Sequence, residues 1–128
     1  MKNRILAIIV ASLVYIALSS FVHGNLLSEI YDQTANLWRS NEDMNVVHAN
    51  LYCVIYVILF VLFYDNVVKS KSLANGVKFG ALFGVISGFQ MAGAWLYMPI
   101  SLQLAAIWFA LGIVESVILG LIVGKILK

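Results

Sequence analysis

One carboxyl group in this sequence lies where ionisable groups are costly. Glu115 sits near the middle of the apolar run 103–124, and no other acidic residue lies deep inside such a run. In hydrocarbon an ionisable side chain is a functional-site hypothesis by default. No Lys or Arg lies at comparable depth. The neutral carboxyl, hydrogen-bonded to a tyrosine, serine or glutamine, is therefore the cheaper form. Three chemistries stay open for it. It can carry a proton or bind a cationic substrate in a transporter, pair with a charge from another subunit, or hold helices together as a neutral acid.

The groups able to meet it recur at helical spacing. Ser12, Ser19 and His23 fall within one narrow arc at 100° per residue, flanked by Tyr15. His48, Tyr52 and Tyr56 form an i, i+4, i+8 row, and Ser87 and Gln90 lie on a further run. By position along their runs, Tyr15, Tyr56, Ser87 and Glu115 share the midplane. Ser19, Tyr52 and Gln90 lie in the outer half, with His23 and His48 at the outer rim. Polar groups in lipid must find partners, so these faces are expected to converge on a polar interior that narrows toward Glu115. The substrate- or proton-binding candidates are Glu115, Tyr15, Tyr56, Gln90, Ser87 and Tyr52.

His23 and His48 share an outer depth, the arrangement required of two axial ligands to one haem. With Glu29 or Asp32 they also suit an external metal site. Interfacial histidines bonded to loop carbonyls are the simpler reading. The expectation is thus no metal and no cofactor, with haem as the alternative. The single cysteine, Cys53, excludes an internal disulfide, a CxxC pair and a multi-thiolate metal site, and reads as a packing residue. No nucleophile–base pair, phosphate loop or paired-carboxylate site appears, so no enzyme is expected. No basic patch is interleaved with exposed aromatics, so nucleic acid is not expected as a partner either.

The elements that must position these residues are membrane spans. With 62% apolar and 11% charged residues, the 128-residue chain is far from a soluble domain, in which about a quarter is charged. A hydrocarbon core of about 30 Å needs about 20 apolar residues of helix. Four runs qualify: 4–22, 45–64, 77–97 and 103–124. The fold class is all-α, a single domain over 1–128 built as an antiparallel bundle of four transmembrane helices. The first run also has the parts of a signal peptide: Lys2 and Arg4, the apolar stretch Ile5 to Ala17, and a small-x-small site at Ala17-Leu18-Ser19. The run continues through Phe21 and Val22, and a retained helix is expected.

Two of the runs carry small residues at every fourth position. Gly76, Gly80, Gly84 and Gly88 form one ladder; Gly112, Ser116, Gly120 and Gly124 form the other. Small residues at this spacing let helices approach closely in lipid, where packing replaces the hydrophobic drive. Glu115 flanks the second ladder, better placed to face the first two spans or a neighbouring chain than the third span.

Seven of the eight Lys/Arg residues fall on one side of this layout, and only Arg39 on the other. The positive-inside bias then places both termini and the 65–76 connection in the cytoplasm. The layout resembles that of small four-span bacterial proteins, in architecture rather than motif, which points to the inner membrane. Residues 26–38 read as a short external amphipathic helix, with Leu26, Leu27, Ile30, Tyr31, Leu37 and Trp38 on one face and Asn25 as N-cap. It either braces the outer interface or folds back as a lid. Tyr64-Asp65 closes the second run, Asn75-Gly76 supplies turn chemistry, Pro99 stops the third run and Ser101 caps the fourth. The expected role is a carrier or proton-linked transport component, with the lipid bilayer as its surroundings and a homo-oligomer possible. The alternatives are an accessory subunit of a larger membrane complex and a haem-binding subunit.

Overall fold

The computed structural model describes residues 2–40 and 42–128. Its described residues form an all-helical bundle with four helices long and apolar enough to cross a membrane. In chain order these are α1 (Lys2–Phe21), α3 (Val46–Val67), α4 (Leu73–Ala92) and α5 (Leu102–Ile126), with a short α2 (Ser28–Asp32) between the first two. Helix is the form that lets apolar sequence satisfy its backbone groups without water. Three of the long helices start on side-chain caps. Asn45 accepts from the His48 amide, Ser72 from that of Asn75 and Ser101 from that of Leu104. The Ser72 cap overrides the turn expected at Asn75-Gly76: both residues are helical, and α4 begins four residues earlier than the apolar run suggested.

The bundle is antiparallel. The start of α1, the end of α5 and the α3–α4 connection lie at one end, called here the termini end; the described residues between α1 and α3 and the α4–α5 connection lie at the other, the cap end. The tightest pairing is α4 on α5. A Cβ on Gly112 would lie 2.5 Å from the Gly88 Cα, and one on Gly84 would lie 2.6 Å from the Ile113 Cα. The two ladders therefore meet backbone to backbone along the whole hairpin. In turn, α1 packs on α3 and α5. Helices α3 and α4 meet through large rings instead: Phe60 lies edge-on to Phe79 and Phe83, with centroids 5.2 and 5.0 Å away.

The cap end departs from the expected amphipathic helix over 26–38. Helix α1 widens into a π turn at Val22–Leu26, α2 lasts five residues, and Ala35–Leu37 makes one 3-10 turn. Asn25 lies inside the π turn and caps nothing; its carbonyl accepts from the Ser28 hydroxyl. The reason is burial. Breaking the helix lets Leu27, Ile30, Tyr31 and Trp38 fold back onto Val22 and onto Leu104, Ala105 and Trp108 at the start of α5. A straight helix would leave part of that apolar set outside. At the termini end, Asp65 pairs with both Arg4 and Lys71, tying the start of α1 to the end of α3.

Candidate functional site

Glu115 points from α5 toward α1 and α3 and is 5% exposed. The ring of Tyr15 on α1 and the thiol of Cys53 on α3 lie within electrostatic reach of its carboxyl. Tyr15 stacks on Tyr56 with centroids 5.2 Å apart, and the Tyr56 hydroxyl lies 3.4 Å from the Ser116 hydroxyl. Four polar side chains from three helices thus gather at mid-depth: Glu115, Tyr15, Tyr56 and Ser116. Among the described residues, two buried side-chain oxygens have no hydrogen-bond partner, Glu115 Oε1 and Ser12 Oγ. Such atoms are uncommon in a folded chain and call for a physical reason.

Above this layer, toward the cap end, the bundle is hollow. An open-mouthed cavity of about 1140 Å³ runs between α1, α3 and the cap-end parts of α4 and α5. Ile16 and Cys53 line it nearest to Glu115; Ser19, Asn50 and Gln90 form its polar walls. Tyr31, Trp38 and Trp108 enclose it from the folded-back segment and α5, while Asp32 and Arg39 stand among the residues nearest the mouth. Glu115 does not line the cavity; it lies one layer below the floor. On its other side the bundle is solid. Phe60, Val61, Tyr64, Leu119 and Val123 are fully buried there, with Phe79 and Phe83 packed against them.

The enclosing segment is fastened at one point. Trp108 Nε1 donates to the Tyr31 hydroxyl oxygen at 3.0 Å, and the same hydroxyl lies 2.6 Å from His23 Nδ1. With its oxygen accepting from Trp108, the Tyr31 proton is free to go to His23. Burial pushes the Tyr31 phenol above its ordinary pKa, against the opposing pull of the Trp108 bond, so it remains a neutral donor. Tyr31→Phe removes both bonds and leaves two partners unpaired. A loss of about 1–3 kcal/mol in stability is expected, read as a lower melting temperature together with altered emission from Trp38 and Trp108.

The other sequence candidates take varied places. Gln90 lines the cavity. Ser87 donates back to the Gly84 carbonyl at 3.3 Å and stays apart from Glu115. Tyr52 is 74% exposed on the outside of α3, beside Ile55 and Leu59. His48 is also exposed and lines no part of the cavity that His23 borders. The two imidazoles therefore do not face one gap, and His23 is already engaged by Tyr31. Among the described residues no three His, Cys, Asp or Glu side chains gather as a metal site would require.

At 100° per residue, the inward side of α3 lies about a third of a turn from the expected His48, Tyr52 and Tyr56 row. The stripe that faces inward is Val46, Ala49, Asn50, Cys53, Val57, Phe60, Val61 and Tyr64. Its members are small in the cap-end half and bulky in the other, which is why the bundle is hollow above Glu115 and filled below. Cys53, read from sequence as packing, is a floor residue of the cavity. No protein-family model, curated protein or solved structure gives a significant match to this chain.

Proposed function

We propose that this protein is a small carrier, a proton-linked transport component of the bacterial inner membrane, with Glu115 as its proton-handling group. The observation that carries the reading is a cavity, open at one end, that stops one layer above a buried carboxyl whose Oε1 has no hydrogen-bond partner. A carboxyl serving only to glue helices would have both its oxygens satisfied by neighbouring donors, whereas Tyr15 reaches this one and Oε1 is left without a partner. A carrier instead needs a group that exchanges its proton, a water-filled approach to it, and a closure on the far side. The cavity supplies the approach, and the aromatic layer around Phe60 supplies the closure. The seven Lys/Arg residues at the termini end, Lys2, Arg4, Lys69, Lys71, Lys78, Lys125 and Lys128, support through the positive-inside bias a cytoplasmic termini end and an outward cavity mouth.

The proton-handling role has a direct spectroscopic test. In difference infrared spectra across a pH titration, the wild type is expected to show a protonated-carboxyl band that fades and returns reversibly. The band is expected to be missing in Glu115→Gln. A Glu115 band that ignores pH throughout would mark a sealed structural acid and end the transport reading.

A further inference from the structure

We propose that the cavity binds a lipophilic organic monocation, which competes with a proton for the field of Glu115; this rests on the carrier reading. The size of the space comes first. About 1140 Å³ is in the range of sites for drug-sized ligands and far beyond what a proton or a bare metal ion needs.

The sign of charge comes second. Asp32 and Arg39 both stand at the cavity and offset one another, and among the described residues no Lys or further Arg lines it. An anion entering more deeply would meet no fixed positive charge. A cation would approach the carboxyl of Glu115, a residue only 5% exposed and one whose Oε1 lacks a partner. Across a low-dielectric floor such an interaction is far stronger than in water.

The walls are the third point. Trp38 and Trp108 border the cavity, and the Tyr15–Tyr56 stack lies beside its floor. Aromatic faces attract cations and accept apolar substituents at the same time. Polar neighbours such as Ser19, Asn50 and Gln90 are uncharged, so they tolerate many shapes without fixing one.

Proton and cation cannot both be favoured at Glu115. The titratable groups that face it are Tyr15 from α1 and Cys53 and Tyr56 from α3; α4 contributes none at this depth, its Lys78 lying near the termini end. His23, at the rim, adds positive charge when protonated and acts in the same direction. Cation binding is therefore expected to weaken as pH falls.

The test uses the full chain in detergent, with tetraphenylphosphonium as the probe and tetraphenylborate as its counterpart of similar shape and opposite charge. Binding is followed by equilibrium dialysis and by quenching of tryptophan emission. Tetraphenylphosphonium is expected to bind at pH 8 and about tenfold or more weakly at pH 5, a difference of about 1.4 kcal/mol. Tetraphenylborate is expected not to bind. Glu115→Gln, checked for folding by its melting temperature, should bind the cation weakly at both pH values. If that variant does not fold, wild-type protein alkylated at Cys53 serves instead, because a bulky adduct on the floor should exclude the probe. Equal binding of the two ions, or cation binding indifferent to pH and to Glu115, overturns the proposal. The carrier reading is separated by the sidedness of Cys53 in vesicles. Labelling from both faces without cation binding removes the substrate class alone; cation binding with labelling from the cap end alone removes the carrier.

Discussion

Gly112→Val is expected to abolish the folded bundle, with a loss at or beyond the upper end of the 1–3 kcal/mol typical of overpacking. A Cβ at Gly112 would lie 2.5 Å from the Cα of Gly88 and 2.7 Å from its nitrogen. Both obstacles are backbone, so no side chain can rotate away; α4 and α5 would have to separate. No described glycine has positive φ, so the ladder is demanded by space and not by backbone conformation. Once separated, the hairpin loses the close contact that replaces the hydrophobic effect between helices in lipid. Gly24→Ala and Gly93→Ala are the matched controls, because a Cβ at either position meets nothing within 4 Å. Melting of the purified proteins, followed by exposure of the single thiol, checks the set. Gly112→Val should yield little or no folded protein, and the two controls should melt near the wild type.

Phe60→Ala is expected to produce the second large effect, on both stability and closure. The ring is fully buried and lies at the centre of the layer beneath Glu115, edge-on to Phe79 and Phe83. Truncating a buried phenylalanine costs about 3–5 kcal/mol, and each such ring pair contributes about 0.5–1.5 kcal/mol beyond area burial. A void here also opens toward the termini end, where Tyr64 and Phe79 form the next contact of the plug. Under the proposed function, this variant should melt at a lower temperature and should admit reagents to the Glu115 layer from the termini end. Phe60→Leu fills most of the space and is expected to do less of both. A variant that is destabilised but equally closed would show that the layer packs the bundle without gating it.

Much of the architecture was legible because lipid leaves few alternatives to helix. Length and apolarity located the four spans, and the glycine ladders named the pair that touches. Ser101 capped as its position suggested. Misplaced features were those decided by tertiary burial. Residues 26–38 alternate like an amphipathic helix, yet Trp108 and Leu104 offered them a better surface once the chain turned at the π segment. On α3 the conspicuous His48–Tyr52–Tyr56 row drew notice because its members are polar. The inward stripe was marked by size instead, Ala49, Asn50 and Cys53 giving way to Phe60 and Tyr64. In a membrane, where both lipid and interior accept large apolar groups, side-chain volume is the better guide to which face encloses a space. Glu115 was conspicuous in the sequence; the cavity above it was visible only as that gradient of volume.

Under the proposed function, the space above Glu115 is reached alternately from the two sides of the membrane. Cys53 reports on it without engineering, because it is the only cysteine in the chain and lies on the cavity floor. Right-side-out and inverted vesicles treated with a membrane-impermeant thiol reagent give its accessibility from each face. A carrier of this kind is expected to give fast labelling from the cap end, slower but measurable labelling from the termini end, and a ratio of the two that responds to pH in the wild type but not in Glu115→Gln. Labelling from the cap end alone at every pH would contradict it and leave a fixed pocket in place of a carrier.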